Sequence, residues 1–449
     1  MGRITLAQAA QWCGGRIDSK YADVTFLGAN NDSRKIQPGQ LFLALQGARD
    51  GHDFIPMALQ KGASAVLCTH CEGDFPAIVV EDVRIALGRI AAGERQRIGM
   101  TVVGVTGSVG KSTTKEMISC VLAAKYRVAK TPENHNNDIG MPMAVLSIPE
   151  DTEVAVLEMG MNHFREIAYL TNIAKPDYAV IINIGTMHIE HLGSQDGILK
   201  AKLEIAEGMG EEGALILNGD DVFLRKAPSM VDKKIAYFGV GEGCDVTATE
   251  VREDDGISYR VSDGQQEFGI WLPVEGMHHV PDSLAAVAVG LKLGVLPGQI
   301  TEALAAFRNM EGRQEIFEAK GCTIIKDCYN AGPESMAAAL AVLGKRRGRK
   351  IAVLGDMLEL GVSTQAEHYR VGRIAAEKAD ILMTYGPNGE RTASGAVTGG
   401  MKNVFCFDSH AALAAELKRI TREGDTLLFK GSHGMHMEIA LELFLKDET

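Results

Sequence analysis

Short aliphatic and β-branched runs recur along this chain, and many end in glycine or a polar residue before a segment of helical spacing. The runs "TVVGVT", "EVAVLEMG", "DYAVIINIG" and "GALILNG" follow this rule between residues 100 and 220. Strands alternating with amphipathic helices predict a largely parallel sheet. A strand-rich insertion, Lys234 to Pro273, then precedes the helix "DSLAAVAVGLKLG" and the segment "TEALAAFRN". From Met310 the alternation restarts in "TIIKDCYN", "KIAVLGDM", "DILMTYG", "NVFCFDS" and "DTLLFKGS", which predicts a second, smaller open α/β sheet. The first hundred residues carry shorter runs and turns, a helix from Ile55 to Lys61 and the strand "ASAVLC". The polar run "GERQRIG", ending at Gly99, reads as a connection, and "GKRRGRK" from Gly344 as a solvated helix-to-strand link. The expected fold is therefore α/β in three domains, 1–98, 99–309 and 310–449.

Composition narrows the partners. A chain of 449 residues with 46% hydrophobic and 23% charged residues suits a globular protein of several domains. Its net charge of -12 disfavours nucleic acid as a partner and suits a cytoplasmic enzyme. The longest apolar runs fall far short of the ~18 residues a membrane helix needs, so no membrane insertion is expected. The N-terminal segment lacks a signal-peptide core. Of the eight cysteines only Cys68 and Cys71 share a C-x-x-C spacing. A zinc ribbon needs a second such pair, so reduced thiols are expected.

Candidate chemistry begins at "TVVGVTGSVGKSTTKE". An apolar strand breaks into glycines, then a lysine and a hydroxyl, then a helix. Backbone N–H groups of such a loop turn toward phosphate, the lysine reaches the outer phosphates, and the hydroxyl can ligate Mg²⁺. Gly107, Ser108, Val109, Gly110, Lys111, Ser112 and Thr113 form the candidate loop. The full P-loop pattern wants glycine at 105, where Val105 stands. No guanine-reading N-K-x-D follows, which disfavours a GTPase. At two further strand ends lie Glu158 and His188. Ser112 and Glu158 supply the hard oxygens Mg²⁺ prefers. In "LKAKLEIAEG", Lys200 and Lys202 stand two apart on a helix and point different ways; they are two surface lysines, or one of them faces the phosphates.

The motifs "DSRKIQPGQLFLAL", "DGHDF", "NHNNDIGMP", "LEMGMNH", "HIEHLGS", "AKLEI", "EGRQE", "DCYNAGPESM", "VLGDMLELG" and "KGSHGMHME", in this order around the glycine loop, closely resemble the Mur ligases. These are ATP-dependent amide-forming enzymes of peptidoglycan precursor synthesis. Within them the chain is most similar to the branch that joins D-alanyl-D-alanine to UDP-N-acetylmuramoyl-tripeptide (UDP-MurNAc-tripeptide). The diamino-acid branch carries Asp-Asn-Pro-Arg, which does not occur here.

The resemblance implies a UDP-sugar-binding first domain, a central ATPase domain and a Rossmann-like last domain, working as a monomer. It implies an acyl phosphate, attacked by the amine of the dipeptide. Lys111, Glu158, His188 and Lys202 would carry the chemistry. Ser112, Glu158, His188 and Lys202, the last carbamylated by CO₂, would serve two Mg²⁺ ions. Asp282, Arg313, Asp327 and Asn330 would contact ATP. Ser33, Arg34, Asn136, Asn137, Asp356 and Lys430 would face the substrates; for Asp356 a helix cap or turn role is the competing reading.

Four places depart from the family pattern. "HHVPDSLAA" has His279 and Asp282 where asparagines are usual, and a carboxylate at 282 accepts but cannot donate to an adenine edge. Gly332 replaces asparagine, His433 replaces arginine, and Arg165 replaces glycine. Two alternatives stay open: a sibling ligase with another amine acceptor, and a non-catalytic protein that binds nucleotide and UDP-sugar.

Overall fold

The computed structural model describes residues 4–446, arranged around four sheets. A two-stranded antiparallel ribbon (Ile4–Thr5, Thr25–Phe26) and a four-stranded parallel sheet (Ala29–Asn30, Leu41–Leu43, Ala65–Cys68, Ala77–Val79) build the N-terminal part. The helix Val83–Ile98 leads from it to the middle sheet. "GERQRIG" is therefore not a connection but the end of this 16-residue helix. Its apolar face, Val83, Ala86, Leu87, Ile90 and Ala91, is buried, whereas its last turns are polar. Arg97 grips buried Glu94 at 2.7 Å, and Gly99 at φ 71° caps the helix in the left-handed conformation.

The middle sheet has nine strands in the order Glu267–Leu272, Gly256–Ser262, Val246–Asp254, Lys234–Gly239, Ala214–Asn218, Tyr178–Ile181, Thr101–Thr106, Val154–Glu158, Val128–Lys130. From Val246–Asp254 to Val128–Lys130 every adjacent pair is parallel, and the two strands at the other edge pair antiparallel. The alternation on the page before residue 220 is thus realised as central strands. They are buried on both faces, as their unbroken Val/Ile/Leu runs require. The strand-rich insertion closes one edge. The last sheet has six strands in the order Glu315–Ala319, Cys322–Asp327, Thr426–Lys430, Lys350–Gly355, Ile381–Tyr385, Val404–Phe407, with only the first pair antiparallel. The edge strands Val128–Lys130 and Glu315–Ala319 carry no strong apolar pattern, being half-buried.

All eight cysteines are free thiols. Among the described residues no helix is long and apolar enough to cross a membrane.

Candidate active site

Parallel strands present their carboxyl ends to one side, and there open sheets bind ligands. Three ends of the middle sheet converge. Thr101–Thr106 runs into the glycine loop, Val154–Glu158 ends on Glu158, and Tyr178–Ile181 leads to Asn183 and the His188 loop. The loop turns at Gly110, whose φ of 85° suits glycine. A β-carbon there would also lie 2.6 Å from Asp282 Oδ1. The helix Lys111–Ala123 starts at once, so its free N–H groups point into the loop. Asn183 braces this turn: its Oδ1 accepts from the Ser108 and Val109 amides at 3.0 and 2.9 Å, and its Nδ2 donates to Val109 O.

Around the loop lies a polar knot. Ser112 Oγ donates to Glu158 Oε2 at 2.8 Å, and Asn136 Nδ2 donates to Glu158 Oε1 at 2.8 Å. Lys115, fully buried, donates to Thr131 O at 2.8 Å and stands 3.8 Å from Glu158. Lys111 Nζ folds onto the carbonyls of Gly107 and Ser108 at 2.8 and 3.2 Å. Desolvation pushes its pKa down.

Arg313, before the last sheet's first strand, reaches across: its Nη2 donates to Ser112 Oγ at 2.9 Å while the guanidinium stacks on Tyr329, 3.9 Å from the ring centre. At the strand ends of the last sheet, Lys430 Nζ pairs with Asp327 Oδ2 at 2.6 Å and donates to Asn330 O at 3.0 Å. Between the sheets opens a cavity of about 980 Å³. Its walls include Ser108, Val109, Gly110, Lys111, Ser112 and Thr113 from the loop, Asn136, Asn137, Glu158, His188 and Asp282 from the rest of the middle part, and Arg313, Asp327, Asn330 and Lys430 from beyond residue 310.

Gly107 stands just behind this wall. So does Lys202, buried in the helix Gln195–Leu203 while Lys200 is exposed. Among the described residues no hydrogen bond or ion pair holds the Lys202 amine, and burial pushes its pKa well below the ordinary lysine value, with Lys111 adding repulsion. Asp356 lies outside the cavity, its carboxylate accepting from the Asn388 amide and side chain at 2.9 Å. Ser33 and Arg34 lie in the N-terminal part, away from this cavity. Ser33 is buried with its hydroxyl 3.4 Å from Met57 Sδ, and exposed Arg34 pairs with Asp32 at 2.8 Å. Asp82, Arg84 and Ile85 are the N-terminal residues that reach the wall. His188 Nδ1 stands 2.7 Å from Glu359 Oε2 of the last part, off the direction of a hydrogen bond.

The departures have visible surroundings. Arg165 takes φ 73° at the start of a helix, a conformation glycine adopts freely, and its amide donates to Glu204 at 2.8 Å. A β-carbon at Gly332 would lie 2.8 Å from Met187 Cγ. Asp282 accepts from Thr114 Oγ1 at 2.9 Å, and His279, 4% exposed, has no hydrogen-bond partner for either ring nitrogen. His433 tilts against Tyr329 at 6.0 Å.

Sequence reasoning passed over Lys115, Asn183, Tyr329 and Glu334. Lys115 stands inside the quoted glycine-loop motif and Asn183 ends the run "YAVIIN", so position offered a signal for both. Tyr329 and Glu334 stand inside the quoted motif "DCYNAGPESM", but only the meeting of two sheets shows what they face.

A phosphate-type loop on one open sheet, facing a second open sheet across a polar cavity, defines a P-loop α/β protein with a site shared between domains. The chain belongs to the Mur ligase family. Family models for the Mur ligase family catalytic domain, the Mur ligase middle domain and the Mur ligase glutamate ligase domain match residues 23–95, 105–290 and 312–433. It is 39% identical to the UDP-N-acetylmuramoyl-tripeptide--D-alanyl-D-alanine ligase of Bacillus subtilis, over 98% of this chain and 97% of that one. Among solved structures it is similar to MurF from Acinetobacter baumannii, with TM-score 0.91, 32% identity and both chains covered in full. MurF from Thermotoga maritima in complex with ADP aligns with TM-score 0.82 and 31% identity, covering 93% of this chain and 97% of that one.

Proposed function

We propose that this chain is an ATP-dependent ligase that joins D-alanyl-D-alanine to UDP-MurNAc-tripeptide, giving UDP-MurNAc-pentapeptide, ADP and phosphate. The observation that carries the reading is Arg313 of the last sheet bonded to Ser112 of the phosphate loop, in a chain similar along its whole length to ligases of that name. A nucleotide in the cavity would be held from both sides, so the reaction is confined to the closed arrangement.

A carboxylate acylates poorly, and transfer of the γ-phosphoryl group supplies the leaving group it lacks. The protein's part is positioning and charge neutralisation. Lys111 leaves the carbonyls of Gly107 and Ser108 for the outer phosphates, which the amides of 107–113 cradle. Arg313 adds positive charge from the opposite wall, Asp327 and Asn330 hold the sugar end, and Asp282 takes the base side. Asn136, Asn137 and Lys430 face the substrates. The oxygens of Ser112 and Glu158, 2.8 Å apart, fit Mg²⁺. No group of three His, Cys, Asp or Glu side chains that could hold a metal occurs among the described residues, so phosphate oxygens would complete the shell of each of two ions, with His188 at the second. Bound there, Mg²⁺ supplies charge neutralisation at the transferring phosphoryl group.

Lys202 has an unengaged amine whose protonation burial opposes, which favours addition of CO₂, and the carbamate would be an oxygen ligand. Carbon-13 bicarbonate should give a carbamate resonance that Lys202→Met lacks. Residues 1–98, with Ser33 and Arg34, take the UDP-sugar; residues 99–309 and 310–449 form the two walls; Asp356 supports the dipeptide side. The enzyme works as a monomer in the cytoplasm.

The test is phosphate release from ATP with Mg²⁺ and bicarbonate, each substrate supplied singly and then together. Release that needs both, with a pentapeptide product by mass, is the expected result. Turnover with another amine instead of D-alanyl-D-alanine would move the chain to a sibling ligase. Nucleotide binding without turnover in any combination would make it a binding protein.

A further inference from the structure

Glu334 enters the cavity from the first turn of the helix Pro333–Gly344 in the last domain. Its Oε1 accepts from the Thr186 amide at 3.0 Å and the Thr186 hydroxyl at 2.9 Å, across the domain boundary. Its Oε2 is buried and has no hydrogen-bond partner. Among the described residues it is the one carboxylate oxygen in that condition. The other cavity acids are engaged: Asp82 with the Arg84 and Ile85 amides, Glu158 with Ser112 and Asn136, Asp282 with Thr114, Asp327 with Lys430, Glu166 with the Asn162 amide and Asp138 with Arg84.

A buried carboxylate oxygen without a partner is unfavourable unless a donor arrives. The donor that fits is small and cationic. A metal ion would need further hard ligands, and among the described residues no group of three acid, histidine or cysteine side chains gathers at this oxygen. An ammonium needs one carboxylate and room. The position is also close to the phosphate loop: a β-carbon built on Gly185 would lie 3.1 Å from both Glu334 Cδ and Ser108 Cβ, so one glycine separates the carboxylate from the loop.

We propose that Glu334 holds the ammonium of the incoming amine and takes its proton before attack; this rests on the ligase reading above. The ammonium carries three protons and the amide keeps one. Glu334 accepts the first, which frees the nitrogen lone pair to form the C–N bond at the acyl phosphate carbon. The second leaves nitrogen as the tetrahedral intermediate collapses. The C–O bond to phosphate breaks, and the departing phosphate takes that proton.

Two nucleophiles separate this role from others. Hydroxylamine is largely uncharged at neutral pH and traps the acyl phosphate as a hydroxamate without a base, whereas the dipeptide arrives as an ammonium. The full chain is assayed with ATP, UDP-MurNAc-tripeptide and either nucleophile, as wild type, Glu334→Gln, Glu334→Asp and Thr186→Val. Glu334→Gln should form hydroxamate within about 2-fold of wild type yet lose about 100-fold in kcat/KM for D-alanyl-D-alanine, the scale of a lost general base. Glu334→Asp should recover part of that loss, and Thr186→Val should stay within a few fold on both assays. Equal loss of hydroxamate and amide in Glu334→Gln would overturn the proposal in favour of a role in phosphoryl transfer. Loss in Thr186→Val matching that of Glu334→Gln would reduce Glu334 to a tie between domains. A wild-type enzyme that makes hydroxamate but no amide with this dipeptide would sink the acceptor assignment and the proposal together. A variant failure alone sinks only the role of Glu334.

Discussion

The two walls of the cavity come from sheets of the same kind, yet they prepare their side chains differently. On the middle side Ser112 and Asn136 bond to Glu158, and Lys115 beside it to Thr131, all within one domain. On the opposite wall three side chains spend themselves across the gap: Arg313 on Ser112, Glu334 on Thr186 and Glu359 on His188. The geometry of the middle wall is secured locally. The last wall becomes a site only by closing on the first. In this reading the phosphate chemistry belongs to one domain, and control over when it happens belongs to the contacts between two.

The largest effect should come from the knot itself. Glu158→Gln removes the charge that Ser112 and Lys115 face, and phosphate release should fall by about 10³-fold or more, the scale of losing a preorganised charged group. Arg313→Ala acts from across the gap and should cost about 10²-fold in kcat/KM for ATP with the thermal midpoint unchanged. Equal losses in the two variants would erase the distinction between the walls.

Next, Asp327→Asn leaves the Lys430 ammonium, with its side chain 3% exposed, without its counter-charge. Breaking a buried pair from one side costs about 3 kcal/mol, so the last domain should melt first in calorimetry. Cys328 lies under the same wall, and burial pushes its thiol up from 9.0 to about 12. Between those values the unfolded thiol ionises and the folded one keeps its proton, so stability falls as pH rises through that window. Cys328→Ala should flatten the fall in unfolding midpoint between pH 8 and pH 10.

The smallest effect should come from the rim, where Lys345 meets Glu253 and Arg346 meets Glu275 between the same two domains. The Lys345 side chain is 55% exposed, and Glu253, though its side chain is only 8% exposed, also accepts from the Gly276 amide, so the pair should contribute about 1 kcal/mol. Lys345→Ala should therefore leave unfolding and the KM for ATP within a few fold of wild type. A large rise in KM would show that the rim, rather than Arg313, secures closure.

Most of this architecture was legible along the chain, and the misreading is instructive. Central parallel strands announce themselves because burial on both faces demands unbroken apolar runs, as in "TVVGVT" and "DYAVIINIG". The helix Val83–Ile98 went unread because only one stripe of it is buried, and its end, "GERQRIG", looks the same as a polar connection from sequence. Half-buried edge strands gave too little pattern to see. Within the site, the glycine loop and Glu158 could be placed at the cavity because each lies at a strand end, and Ser112 because it opens the helix that follows the loop. Helical phase said only that Lys200 and Lys202 point different ways; the resemblance singled out Lys202, which is buried where Lys200 is exposed.

What the sequence determined by itself was local: strand and helix periods, the anion-binding turn, and an ordered set of motifs that resemble one family. Tertiary structure alone decided which of those side chains share a cavity and which are already spent. Asp356 is consumed by Asn388, Ser33 and Arg34 sit apart from the cavity, and Glu334 keeps one oxygen free. The reason is physical. A residue's spacing constrains its neighbours within a turn or a strand, but whether a buried oxygen has a partner depends on which donors the other domain brings within about 3 Å.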